Sequence, residues 1–177
     1  MSGPHLVISC SLREGSHSRI LAGELAGRFR DLGRDVRQVD LGQLDLPLCD
    51  GGDYLSHPDV VALRRAIEEA ASIAIATPIY NFEVGGATRN LVAVTGRTWT
   101  DKVVGFLCAA GGRASYMSVM TLANSLMLDF RCLVVPRFVY AVRGDFDNGN
   151  LAHEGVADRV SELARDLDRI SAAVRVD

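Results

Sequence analysis

The sequence lacks most of the features that announce a function outright. No run approaches the ~20 apolar residues needed to cross a bilayer. No basic N-terminal segment leads into a long apolar stretch either, so neither a membrane partner nor a signal peptide is expected. The net charge is only −3, which leaves no broad basic surface and makes nucleic acid an unexpected partner. Cysteine is scarce: Cys10, Cys49, Cys108 and Cys132 stand far apart without C-x-x-C spacing. They read as buried free thiols in a reducing, cytoplasmic compartment. The histidines His5, His17, His57 and His153 show no metal-ligand spacing, and His153-Glu154 lacks the second histidine of a zinc helix, so no bound metal is expected. There is no G-x-G-x-x-G, which leaves Asp40, placed where a ribose-binding acid would sit, without its glycine partner. There is no G-x-x-x-x-G-K-[ST], which argues against a P-loop nucleotidase.

What is present is the material of an ordinary globule, 48% hydrophobic and 23% charged over 177 residues. The simplest reading is one domain over residues 1–177. Short apolar runs alternate with helical patterns. Strands are expected at 5–9, 36–41, 72–76, 103–109 and 133–135, the last with an extension over 138–142. The first helix, about 18–32, carries Leu21, Leu25, Phe29 and Leu32 at helical spacing and ends before Gly33. Further helices start near Pro58 and Gly86, cover 115–130, and close the chain with Val156, Val160, Leu163, Leu167, Ile170 and Val174 on one face. The runs at 72–76 and 103–109 carry no charge and suit strands buried on both faces; 36–41 is mixed and suits a sheet edge. Five strands alternating with five helices imply an α/β fold, a doubly wound parallel sheet in a three-layer α/β/α sandwich. Such sheets bind ligands at the carboxyl ends of their strands. With strand order 2-1-3-4-5, the loops at 10–18, 77–86 and 110–115 lie side by side.

The first of these loops carries the strongest signal. Residues 9–19, SCSLREGSHSR, join an apolar run to a helix start. The first amides of a helix have no internal partner, and its dipole favours negative charge there. Hydroxyls, a glycine and Arg13 crowd the same turn, and a guanidinium can clamp a phosphate bidentately. Capping by Ser16 or Ser18 alone would leave Ser11 and Arg13 unexplained. Cys10 opens this loop as the nucleophile of a low-molecular-weight tyrosine phosphatase does. That chemistry requires Cys-x5-Arg, and Ser16 stands where the arginine belongs. Cys10 is therefore read as a packed residue.

Together these stretches resemble the NADPH-dependent FMN reductases of flavodoxin-like fold, which include azo, quinone and chromate reductases. Residues 11–19 resemble that family's Gly-Ser-Leu-Arg-x-x-Ser-x-Asn-Arg loop. Residues 77–90, TPIYNFEVGGATRN, resemble its Thr-Pro-Glu-Tyr-Asn-x-x-x-Pro-Gly-x-Leu-Lys-Asn. Leu46-Pro47-Leu48 matches the segment after strand 2, and Gly111-Gly112-Arg113-Ala114 the loop after strand 4. The departures are Cys10 for glycine, Ser18 for asparagine, Ile79 for an acid, Gly85 for proline and Thr88-Arg89 for Leu-Lys. The resemblance implies FMN as cofactor, NADPH or NADH as co-substrate, and a small-molecule electron acceptor: free flavin, quinone, azo compound or metal oxyanion. By position, Ser11, Arg13, Ser16 and Ser18 would hold the phosphate, and Pro78, Ile79, Tyr80 and Asn81 would line the ring. Gly111, Gly112 and Arg113 would meet its pyrimidine edge. No side-chain acid or base is implied, since the flavin carries the chemistry. Two related readings stay open: a flavodoxin-type electron carrier, and a supplier of reduced flavin to a monooxygenase.

From Ala114 to Leu128 there is no charge at all. Met117, Val119, Met120, Leu122, Leu126, Met127 and Leu128 spread round most of a helix over 115–130, so burial on most sides is expected. A homodimer or tetramer through this helix accounts for that; packing of the last helix over it is the alternative.

Overall fold

The computed structural model describes residues 3–174. Its main sheet has parallel strands β1 (His5–Ser9), β2 (Val36–Asp40), β3 (Ser72–Tyr80) and β5 (Val103–Ala110) in the order β2-β1-β3-β5. The fifth position is shared by β6 (Leu133–Val134), paired with Val103 and Val104, and β7 (Val139–Val142), paired with residues 107–110. In sequence order this is the expected 2-1-3-4-5 arrangement, with β2 at an edge.

The helices divide between the two faces by the period-two alternation of the strands. Leu6, Ile8, Ile73, Ile75, Val104 and Phe106 point to one side. There they meet α2 (Pro58–Glu69), α3 (Gly86–Thr95) and α4 (Met120–Phe130). Val7, Ala74, Ala76 and Leu107 point to the other, where α1 (His17–Asp31) and α5 (Glu154–Ala173) pack through Leu21, Leu25, Phe29, Val160, Leu163 and Leu167. Each such side chain, fully removed from water, stabilises the fold by roughly 1.5–3 kcal/mol. Helix α1 starts at an N-cap, Ser16, whose Oγ accepts the Arg19 N–H, and stops where Gly33 takes φ 68°. The segment between β2 and α2 is tied down over residues 45–49. The Asp45 N–H donates to Asp59, Cys49 N–H donates to the Asn90 side chain, and Asn90 donates to the Pro47 carbonyl.

Two expectations change. The helix over 115–130 is shorter: residues 113–119 form a 3₁₀ turn with Ser115 outside helical geometry (φ −94°, ψ 23°), and α4 begins only at Met120. The Ser118 hydroxyl donates to the Ser115 carbonyl at 2.6 Å and holds that tight turn. The fifth strand is divided from its extension as the sequence implies, because Pro136 has no N–H to give the ladder and Arg137 takes φ 58°. The stretch 77–81 is not simply a turn. Strand β3 runs on to Tyr80 and folds back through Asn81 (φ 50°) and Phe82 (φ 62°) onto a short antiparallel β4 (Glu83–Val84). Two successive left-handed residues make the tight hairpin turn whose twist suits flanking strands. Between β7 and the last helix a second hairpin pairs β8 (Phe146–Asp147) with β9 (Asn150–Leu151).

Helix α5 lies on α1, on the opposite sheet face from α4. It therefore leaves α4 uncovered, and Tyr116, Met117, Met120, Met127 and Leu128 stay exposed while Val119, Leu122 and Leu126 are core. No described helix is long and apolar enough to cross a membrane.

Candidate functional site

The carboxyl ends of β1, β3, β5 and β7 open onto one cavity of about 790 Å³. Of the residues singled out from the sequence, all but Arg113 line it: Ser11, Arg13, Ser16 and Ser18 from the first loop, Pro78 to Asn81 from the end of β3, Gly111 and Gly112 after β5. Arg113 points out, exposed, and lies 3.7 Å from buried Asp145. His17, Ser115 and Arg143 line the cavity too and were not anticipated. Arg143 sits in a turn after β7, 130 residues from Arg13 in sequence, so no local motif could have linked them.

One end of the cavity is cationic and rich in donors. Ser11 is buried and its Oγ accepts the Arg13 N–H at 3.3 Å, which shapes the turn without using the Arg13 guanidinium. Ser16 spends its hydroxyl as the cap of α1. Ser18 is buried, and its Oγ has no hydrogen-bond partner among the described residues. Such an orphan hydroxyl is unfavourable unless something else satisfies it. Partial burial holds the His17 imidazole below its ordinary pKa of 6.5, and the nearby Arg13 and Arg143 push it further the same way. Cys10, next to this loop, is sealed in the core: burial drives its thiol up to about 12, with Asp40 adding to the rise and a Thr88 side-chain bond opposing it. A thiol so placed is no nucleophile below pH 9, in keeping with its reading as a packed residue. Cys49 alone among the four cysteines is exposed, against expectation, because its loop crosses the surface.

The rest of the cavity is lined by the end of β3, by Ala109 and Ala110, and by Gly111 and Gly112. Ile79 is buried beneath it and Tyr80 stands exposed at its rim. The β3–β4 hairpin that carries Tyr80 and Asn81 is held from outside by Glu83, which takes Arg89 at 2.9 Å and the Thr121 hydroxyl at 3.1 Å. At its root the Thr77 and Thr88 hydroxyls share a buried 2.7 Å bond. A Cβ at Gly111 or Gly112 would meet nothing within 4 Å, so this backbone is bare toward the open cavity. The glycine loop is fixed from behind: the Tyr140 hydroxyl donates to the Gly112 carbonyl at 2.7 Å, and Tyr116 stacks on Phe138 with ring centroids 4.7 Å apart.

A family model described as NADPH-dependent FMN reductase matches residues 5–147 of this chain. The chain belongs to that family. An NAD(P)H:quinone oxidoreductase of Solanum tuberosum is 30% identical over 135 residues, 72% of this chain and 70% of the relative. An oxidoreductase from Corynebacterium diphtheriae shares the fold with TM-score 0.79 at 17% identity, over 99% of this chain and all of that one. A flavoenzyme NAD(P)H:(acceptor) oxidoreductase from Paracoccus denitrificans superposes with TM-score 0.75 at 19% identity, over 96% and 98% of the two chains.

Membership in the FMN reductase family makes the protein an NAD(P)H-dependent oxidoreductase with FMN as cofactor. The cavity fits that group. FMN needs an anion site at one end, and the orphaned Ser18 hydroxyl, the first turn of α1 and two guanidinium groups provide one. It also needs a flat pocket with backbone donors at the other, and the bare Gly111–Gly112 backbone with the 78–81 wall provides that.

Proposed function

We propose that the protein transfers a hydride from NADPH or NADH through FMN held in this cavity to a small two-electron acceptor, with quinones first among the candidates. The observation that carries the reading is the polarity of the cavity, cationic and hydroxyl-lined at one end, bare glycine backbone at the other. Bound there, FMN would supply the hydride and electron-transfer chemistry. The chain's own groups bind and orient. Ser11, Arg13, Ser16 and Ser18 hold the phosphate; Pro78, Ile79, Tyr80 and Asn81 wall the ring and exclude water from one side. The amides of Gly111 and Gly112 stabilise negative charge at its pyrimidine edge. Arg113 is not among the residues lining the cavity and faces Asp145 at 3.7 Å. Soluble acceptors suit an open cleft, and quinone reduction is the activity named for the potato relative. The test is direct: the purified protein, with FMN added, should quench flavin fluorescence and oxidise NADPH when a quinone is supplied. Absence of FMN binding defeats the reading.

The same reading places the protein in the cytoplasm, with its thiols reduced, as a homodimer or tetramer. The exposed Met117, Met120, Met127 and Leu128 support the assembly, since no described element covers them. Leu126, fully buried, is unsuitable as a probe; Leu128, 82% exposed, is suitable. Leu128→Asp should convert an oligomeric wild type to monomers by light scattering, and a monomeric wild type at micromolar concentration refutes the assembly.

A further inference from the structure

The cationic end of the cavity also takes a residue from outside the 9–19 loop. Arg143 enters it from the turn after β7, and His17 lines it from the first position of α1. The His17 ring lies flat on Phe146 of the β8–β9 hairpin, with ring centroids 4.0 Å apart and planes 5° from parallel. Stacking covers one ring face and fixes its orientation while leaving the nitrogens at the ring edge. Neither nitrogen has a hydrogen-bond partner among the described residues.

The charges around His17 are unbalanced. From the first loop it feels Arg13, and from the turn after β7 it feels Arg143. The carboxylates on the elements packed against it are engaged elsewhere. Asp145 accepts the Val142 N–H at 2.8 Å and faces Arg113. Asp147 accepts from the Asn148 side chain at 3.1 Å. Glu14, in the loop itself, is exposed and forms no ion pair with His17. An imidazole among two guanidinium groups with no carboxylate partner holds its proton less tightly than a free imidazole, and a bound anion would reverse that.

We propose that Arg143 and His17 select phosphorylated over unphosphorylated flavin, with His17 taking up one proton from solvent as the phosphate binds. The proposal rests on the flavin reading above and adds one residue from outside the phosphate-loop motif, Arg143, and one from a variable position within it, His17. A phosphate monoester brings about −1.5 to −2 charge at pH 7. It offsets Arg13 and Arg143 and offers an acceptor to the unpaired ring edge, so it favours the imidazolium that the free protein disfavours. The reaction balances as protein plus flavin phosphate plus one proton giving the complex. By linkage, a group that binds its proton more tightly in the complex makes affinity fall as pH rises between its free and bound pKa values. The second ionisation of the phosphate, near pH 6, works in the opposite direction. A variant that cannot titrate at position 17 is therefore the reference.

The experiment measures FMN and riboflavin binding to the full chain by fluorescence quenching from about pH 5.5 to about 8.5. It is paired with calorimetry in non-phosphate buffers of different ionisation enthalpy. His17→Phe keeps the stack on Phe146 without a titratable group, and His17→Gln keeps polarity. Relative to either variant, wild-type affinity for FMN should fall by up to about tenfold per pH unit within the window where His17 titrates. Proton uptake should be measurable for FMN with the wild type only, and riboflavin should show none. Arg143→Gln should weaken FMN about tenfold and leave riboflavin within about twofold. Identical pH profiles in wild type and both His17 variants, no proton uptake by the wild type, or equal loss of both flavins in Arg143→Gln each overturn the proposal while the flavin reading stands. Failure of the wild type to bind FMN at any pH overturns both.

Discussion

Arg13→Ala is the sharpest probe of the flavin orientation, because the structure says what the substitution leaves intact. The Arg13 N–H, which donates to Ser11 Oγ at 3.3 Å, is kept by alanine, so the turn is retained. No carboxylate pairs with its guanidinium among the described residues, so none is orphaned by its removal. Folding stability should stay within about 0.5 kcal/mol of wild type. Binding of FMN should suffer: a hydrogen bond to a charged group contributes about 1.5–3 kcal/mol. Arg13 is exposed, and Arg143 and the first turn of α1 remain to hold the anion. The lower part of that range therefore applies, about 1.5–2 kcal/mol, or about 10- to 30-fold in dissociation constant. Riboflavin, identical but for the phosphate, should bind variant and wild type within about twofold. Fluorescence-quenching titrations with both flavins give the double difference directly. Raising salt from about 0.05 to about 0.5 M shortens the screening length several-fold and should narrow the FMN gap without affecting riboflavin. Equal losses for the two flavins would place Arg13 at the ring instead, and a drop of several degrees in Tm would make it structural. Either result refutes the orientation of cofactor in cavity described above.

Tyr140→Phe removes the hydroxyl that holds the Gly112 carbonyl; here both flavins should weaken by the same factor, up to about fivefold, with a Tm loss of about 2–4 °C. Gly105→Ala tests the sheet beneath the site: its Cβ would stand 2.9 Å from Leu163 and 3.2 Å from Leu167, both fully buried. Thermal melts should show a loss of about 1–3 kcal/mol with FMN affinity retained in the folded fraction. Iodoacetamide at pH 7.5 should label Cys49 and spare Cys10, Cys108 and Cys132, read by mass spectrometry; early labelling of Cys10 contradicts its burial. Burial holds Cys10 near 12 and Cys132 near 11 against an ordinary 9.0, and the unfolded thiols ionise first. Stability should therefore be full below about pH 9 and decline from there upward, by at most ~1.4 kcal/mol per pH unit for each thiol. Cys10→Ser should flatten that alkaline slope.

The sequence by itself determined the elements whose signals are local. An apolar run with no charge, such as 103–109, must be buried on both faces, and it became central β5. Leu21, Leu25 and Phe29 repeat every fourth residue, and a serine with Arg19 three positions on capped the helix they form. The anion loop was legible because a strand, a hydroxyl-rich turn and a helix start are contiguous in the chain. Tertiary structure decided the rest. Met, Ser and Ala between 114 and 128 carry no strong helix breaker, so periodicity ran a helix through what proved a 3₁₀ turn. Phe82 has no propensity for φ 62°; only the pairing of Ile79 with Val84 places it there. The break in the fifth strand, by contrast, was legible at Pro136, which has no N–H to give the ladder. Arg143 and His17 meet because β7 and β1 deliver their carboxyl ends to the same side, and charge at a distance of over a hundred residues leaves no periodic trace in the chain.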